Sequence, residues 1–446
     1  MKTPTIAAIA GCIVCAAAPG LAGAENLLDV FRDARSYDAQ YAAARFTLQA
    51  GMERLPQGRA LVLPTLNLTG NATATHFQTD PRGGSPVPGV RRDFQNYGYT
   101  LTFTQPVFRR QNEIQYSQAG HQVRQAEATF GLAGQDLVLR VSQAYFDVLA
   151  AQDTLALVGA QKVAINEQLA QAKRNFEVGT ATITDTHEAQ ARFDLIVAQE
   201  IAARNDLDNK NRVLQQLTGK EYAALKPLRR DVVLSGPNPA GMQSWVDLAE
   251  KQSFPVQIQE ALSEFAALEA KRNRAGNLPT VDFVATLGQS IQSASSVSAF
   301  GTDITSATVG LQLALPLYTG GAVDSRTREA IANHEKVRQD LENARRSGAT
   351  ATRQAYLSVS AGIAQVKALE QALVSSQSAL ESNRLGYEVG VRINIDVLNA
   401  QQQLFSTRRD LALARYNTIT NHLKLKAAAG SLREEDLEEV NRALAP

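Results

Sequence analysis

The chain carries the same pattern twice, and whatever fold one copy adopts the other must share. Phe176-Glu177-Val178-Gly179 returns as Tyr387-Glu388-Val389-Gly390, 211 residues later (390 − 179). The same offset aligns Asp185 with Asp396, Ala189-Gln190 with Ala400-Gln401, Arg204 with Arg415, Leu214 with Leu425 and Gly219 with Gly430. It also carries Gln143-Ala144-Tyr145 onto Gln354-Ala355-Tyr356. Two tandem structural repeats follow, placed at residues 25–235 and 236–446.

The longest segments read as helix. Arg109 to Val178 has no proline and is dominated by Ala, Gln, Leu, Val, Glu and Arg. A continuous helix of that length spans about 105 Å, far beyond an ordinary globular helix. Val158, Ile165 and Ala172 mark one seam and Leu169 and Phe176 another, with the three-and-four spacing of coiled-coil packing. Ile183 to Leu217 follows the Gly179 turn; Val323 to Glu388, Gly390 and Ile395 to Ala429 repeat the arrangement, with Leu398, Phe405, Ala412 and Ile419 at sevens. Gly179 and Gly390 give the permissive backbone that a tight reversal needs. Each repeat is therefore expected to end in a long antiparallel helical hairpin.

Other segments alternate with period two. In 65–77, Leu66, Leu68, Gly70, Ala72 and Ala74 interleave with Asn67, Thr69, Asn71, Thr73 and Thr75. Similar runs lie at 94–108, 280–290 and 305–318, joined by loops rich in Gly, Ser and Pro. Their length suits outer-membrane strands. Pro64 and Pro279 precede the first strand of each pair, and Pro106 and Pro316 sit near the end of the second. Proline suits such helix–sheet changeovers. Each unit reads helix, strand, strand, long helix, helix, with Tyr222 to Trp245 as a linker or a small separate layer. The fold class is α+β, with four strands per chain.

Four strands cannot close a barrel, and an open sheet edge in a bilayer leaves backbone groups unpaired. Closure requires several chains: two give eight strands, three give twelve with a lumen. The long hairpins have no globular core of their own and must pack on neighbours.

Composition narrows the setting. Residues 1–24 read as a secretory signal peptide, with Lys2, an apolar Ile6 to Ala18 and the small-residue site Ala22-Gly23-Ala24. A competing reading makes Ile9-Ala10-Gly11-Cys12 a lipoprotein box. Both cysteines, Cys12 and Cys15, fall in this segment, so thiol chemistry and Cys-based metal sites are excluded after cleavage. The formal charge of +1 has no concentrated basic face, which argues against nucleic acid. No run of about 20 apolar residues follows Glu25, so a membrane crossing is assigned to strands.

The paired turns, the Pro64-Thr65-Leu66 and Pro279-Thr280-Val281 strand starts, Gln105-Pro106-Val107-Phe108 with Leu315-Pro316-Leu317-Tyr318, and Glu25-Asn26-Leu27 together resemble the TolC family of bacterial outer-membrane channel proteins. The likeness covers 25–446. It implies a homotrimer with a twelve-stranded transmembrane barrel and a twelve-helix periplasmic α-barrel. It also implies a periplasmic adaptor (membrane fusion) protein and an inner-membrane ABC or proton-driven transporter as partners, with no cofactor. Carried over residue by residue, it implies a gate latch of Tyr387 and Arg392 with Thr184 and Asp185, and Asp396 as the acid at the pore constriction. Three copies of Asp396 would attract cations and make conductance pH-dependent. Asn399 stands where the family's second aspartate is expected; Glu188, one turn after Asp185, is a candidate to restore some charge.

The residues support plainer readings too. Asp185 and Asp396 each begin a helix, where an acid caps free amides. The histidines at 76, 121, 187, 334 and 422 show no i, i+4 pair for a metal. Gly83-Gly84 lies in a Pro-rich loop and is no phosphate cradle, there is no Gly-x-Ser-x-Gly elbow, and Glu434-Glu435-Asp436 reads as a solvated helix start. Tyr97, Tyr99, Phe103, Phe283, Phe300 and Tyr318 are candidates for interfacial aromatic girdles. The functional expectation is a non-catalytic exit channel for small toxic compounds or an unfolded secreted protein. A periplasmic coiled-coil scaffold or lipid-anchored adhesin is the alternative, although it leaves the amphipathic strands unexplained.

Overall fold

A computed structural model describes residues 24–84, 88–229 and 232–445; all but the last residue of the expected signal peptide, both cysteines included, lies outside them. Three helices come first, α1 (Leu27–Tyr37), α2 (Ala39–Met52) and α3 (Arg54–Ala60). Strands β1 (Thr65–Thr79) and β2 (Val90–Phe108) precede the hairpin of α4 (Arg110–Glu177) and α5 (Ile183–Thr218). Helices α6 (Met242–Gln252) and α7 (Phe254–Arg274) lead to β3 (Thr280–Gln292) and β4 (Thr302–Ala314). The hairpin of α8 (Ala322–Glu388) and α9 (Asn394–Ala428) follows, then α10 (Glu435–Arg442). Three helices before β1 and two before β3 replace the single leading helix that the sequence suggested for each unit.

The strands form one antiparallel sheet in the order β1-β2-β3-β4. Its register sorts side chains by face. Leu66 lies opposite Phe103 and Leu68 opposite Leu101; Leu101 faces Leu287; Phe283 faces Leu311 and Val281 faces Leu313. That face is apolar and, among the described residues, left uncovered, with Leu66, Leu68, Val309, Leu311 and Leu313 all 64–70% exposed. The other face pairs Thr69 with Thr100, Asn67 with Thr102 and Thr286 with Thr308. β1 and β4 are the sheet edges, each paired on one side only.

Prolines behave as punctuation with one correction. Pro64 and Pro279 stand immediately before β1 and β3, and Pro106 lies within β2 beside a register shift at Pro106/Phe108. β4 spans 302–314, not 305–318, so Leu315 to Tyr318, with Pro316, lies outside it. The cause is the partner: β3 begins at Thr280, which pairs with Ala314, and beyond that point no neighbouring backbone exists to continue the ladder. Where β2 passes into α4, Arg109 donates from Nε and Nη2 to the carboxylate of Asp282 in β3, at 2.7 and 2.5 Å. Asp282 is buried, and this fork fixes sheet to helix.

The main core forms where the long helices pass α1 and α10. Leu27, Val30, Leu137, Val141, Tyr145, Phe146, Leu214, Leu423 and Leu437 are buried together there. Parts of the 222–245 stretch, read from the sequence as a linker or a small separate layer, join this layer. Leu225 pairs with Glu25, Leu228 pairs with Leu444, and the Tyr145 hydroxyl donates to the carbonyl of Lys226 at 2.8 Å. The first hairpin's seam continues beyond this core: Ile165, Leu169, Ala172, Ala189 and Ile196 are buried, with Val158 partly so. Phe176 at the tip is exposed. One stretch of α4 is long and apolar enough by composition to cross a membrane, a qualification to the assignment of any crossing to strands; α4 nevertheless runs on unbroken as the long arm of the hairpin.

Candidate functional site

The two hairpin tips repeat each other in backbone. In the first, Gly179 has φ 81° and the amides of Thr180 and Ala181 both reach the Asn175 carbonyl, at 2.8 and 3.2 Å. In the second, Gly390 has φ 80° and the amides of Val391 and Arg392 reach the Gly386 carbonyl, at 2.9 and 3.0 Å. Positive φ is the conformation that glycine adopts without a Cβ penalty.

The side chains then diverge, and one substitution explains much of the difference. The α5 N-cap is Thr182, whose hydroxyl accepts from the Asp185 amide at 3.3 Å while Asp185 accepts from the Thr182 amide at 2.9 Å and its hydroxyl at 2.8 Å. This capping box occupies the Asp185 carboxylate. The same place before α9 is Ile393, which has no side-chain oxygen, and α9 has no side-chain cap. Asp396 is therefore released from capping and lies 3.7 Å from Arg392 Nη1. Asp185 thus caps its own helix start, whereas Asp396, also in the first turn of its helix, makes no capping hydrogen bond.

The latch groups of the two hairpins are not joined to one another within one chain. Tyr387 accepts from Asn175 Nδ2 at 3.1 Å, while Arg392 meets Asp396, its own i+4 neighbour, instead of Asp185. Thr184 is exposed. A pairing such as Arg392–Asp396, with 59% and 33% of the side chains exposed, is weak and screened by water and salt. Glu188 is half-buried on α5.

Several contacts here were not foreseen. The buried Gln168 donates to Asn394 Oδ1, and Asn394 Nδ2 lies 3.5 Å from the Asp185 carbonyl. Arg192 on α5 donates to Asn399 Oδ1 at 2.9 Å and to Gln402 Oε1 at 2.6 Å, so Asn399 is an acceptor tied to the first hairpin. The available signal was the offset itself, which puts Asn394, a polar residue, where the first repeat has Ile183. No group of three or more acidic or histidine side chains among the described residues is arranged to hold a metal.

Uncovered apolar sheet, polar opposite face and paired hairpins have a counterpart in known proteins. The model of the outer membrane efflux protein family matches residues 30–220 and 245–431. The chain belongs to the outer membrane efflux protein family. Outer membrane protein TolC of Vibrio cholerae is 33% identical over 424 residues, covering 94% of this chain and 94% of the relative. Proteases secretion protein PrtF of Dickeya chrysanthemi is 32% identical, covering 96% and 93%. Among solved structures, VceC, an outer membrane protein of the same Vibrio species, superposes with a TM-score of 0.76 at 19% identity, over 91% of this chain and 96% of its own. A membrane protein from Pseudomonas aeruginosa superposes with a TM-score of 0.78, also at 19% identity, over 92% of each chain. The fold is that of these channels, and the protein resides in the outer membrane. The apolar face of this family member's sheet is the one suited to lipid.

Proposed function

We propose that three copies of this chain close into one twelve-stranded barrel continued by a twelve-helix tunnel, forming the outer-membrane exit duct of an export machine. The observation that carries the reading is the four-stranded sheet with one bare apolar face, one threonine- and asparagine-rich face and two unpaired edges, set above hairpins about 100 Å long. The two edges need partners in a bilayer, and neighbouring copies provide them. The duct has no catalytic role. It works with a periplasmic adaptor and an inner-membrane ABC or proton-driven transporter that supplies the energy. Its cargo is small toxic compounds, a secreted protein, or both; the names of PrtF and of the alkaline protease secretion protein AprF of Pseudomonas aeruginosa, 34% identical, favour protein. The chain divides into two structural repeats, 25–235 and 236–446.

The gate lies at the hairpin tips. Because Asp185 is held by Thr182 within its own helix start, the Tyr387, Arg392, Thr184 and Asp185 latch is completed between protomers, where the exposed guanidinium of Arg392 is free to exchange Asp396 for a neighbour's groups. Asp396 lines the constriction, and Asn399 lowers the charge of its ring. Planar-bilayer recording tests the reading. Arg392→Ser with Tyr387→Phe raises single-channel conductance severalfold over the wild type, and Asp396→Asn removes its pH response. A bilayer-inserted trimer that stays silent in both forms would show that the chain is no duct.

A further inference from the structure

The tip of the second hairpin has little apolar attachment to the first. In the seam formed by Ile165, Leu169, Ala172, Ala189 and Ile196, Leu398 is the contribution from α9. Polar contacts accompany it, and among them Arg192 is unlike the others because it is charged and donates to two groups at once. Its acceptors, Asn399 and Gln402, are three residues apart on α9 and hence on one face, one turn deep. A planar guanidinium fork spans such a pair, whereas an ammonium is a single point charge. Both acceptors are neutral amides, so the fork leaves the Asp396 charge one turn away untouched. All three side chains are reached by water, which can replace these bonds when the helices part.

The same tip also holds two buried oxygens that find no hydrogen-bond partner among the described residues, Thr186 Oγ1 on α5 and Gln401 Oε1 on α9. Unmet polar atoms favour any movement that admits water. The closed contact is thus under opposing influences: unsatisfied atoms favour separation and the Arg192 fork opposes it.

We infer that Arg192 is a positioning residue of the gate, a clasp on Asn399 and Gln402 that holds the second hairpin against the first within each protomer. This rests on the duct reading and adds to it a constraint that acts inside one chain, separate from the latch at Arg392. Asn399 then has a defined part: it is the docking point for Arg192.

The test is planar-bilayer conductance of the full-length trimer, with assembly followed as an SDS-resistant band. Arg192→Ala raises mean conductance severalfold, Asn399→Ala raises it less because Gln402 remains, and the double variant is no higher than Arg192→Ala alone. Such non-additivity is the signature of a shared contact. Arg192→Lys falls between wild type and Arg192→Ala. Should Arg192→Ala not assemble, the Lys variant and Gln402→Ala carry the same comparison. Arg192 variants matching the wild type in an assembled trimer, or effects that simply multiply in the double variant, overturn the clasp while leaving the duct intact. Silence of every variant, the Arg392→Ser and Tyr387→Phe form included, overturns the duct reading and the clasp with it.

Discussion

Asp38 serves as the N-cap of α2, accepting from the Tyr41 amide at 2.6 Å, and it also receives the Arg140 guanidinium at 2.8 and 3.1 Å. The same arginine bonds Asp136 from Nε at 2.7 Å. The Asp38 side chain is only 7% exposed, so removal of Arg140 strands a carboxylate away from water. Arg140→Met is expected to cost about 3 kcal/mol, read as a lower urea midpoint for loss of helical circular dichroism; an unchanged midpoint would show that water reaches Asp38. The hydrogen bond from Arg140 holds the Asp38 carboxyl below its ordinary 3.8. A depressed acid contributes stability above its unfolded value, and that contribution is lost as pH falls through the folded one. His422 works in the same direction by another route. Burial, then the nearby Lys426, pushes its imidazole below 6.5, so below pH 6.5 the unfolded chain takes up a proton that the native one refuses. Stability should fall as pH drops from 7 to 5, and His422→Gln should flatten that fall in parallel melts at the two values.

At the level of elements, the hairpin turns offer a clean separation of backbone from packing. A Cβ built on Gly390 or Gly179 meets nothing within 4 Å, so any penalty there comes from φ alone. Gly390→Ala is expected to cost about 1–2 kcal/mol and Gly390→Asn less, because asparagine tolerates the left-handed region; equal penalties for the two would point to an unrecognised contact. These turns were legible in the sequence because a single local requirement, positive φ, selects one residue type, and the 211-residue offset displayed it twice. The end of β4 was not. Leu311, Leu313, Leu315 and Leu317 keep period two through Pro316, yet the strand stops at Ala314 because its partner starts at Thr280. The place of the 222–245 stretch was obscure for a similar reason, since the bridges of Leu225 and Leu228 reach Glu25 and Leu444 across about 200 residues. In the tips, the Thr182 cap lay in plain view as a side-chain oxygen three residues before Asp185. The Arg192 fork did not, because the register of one hairpin against the other is a tertiary quantity that no local pattern encodes.

At the scale of the whole molecule, everything depends on which face of the sheet turns outward. Val309 and Thr308 are consecutive in β4, but the pleat sends them to opposite sides: Val309 lies across from Ala285 on the apolar face and Thr308 across from Thr286 on the hydroxyl-rich face. Both stand near the middle of the strand. If the apolar face meets lipid, an arginine at 309 must be placed in hydrocarbon, at about 2–4 kcal/mol for each copy near the midplane. In a closed trimer that penalty is incurred three times, enough to deplete the assembled form. An arginine at 308 instead enters a wet lumen already lined with threonine and asparagine, where its charge is solvated and three copies repel passing cations. Val309→Arg should therefore reduce the SDS-resistant trimer recovered from outer membranes. Thr308→Arg should assemble normally and shift the reversal potential toward anions under a salt gradient. The opposite result, a trimer lost at 308 and kept at 309, would mean that the sheet closes inside out. Equal assembly of both with no change in selectivity would mean that these strands do not enclose the path of the ions at all, and that the long hairpins below them must be explained without a barrel.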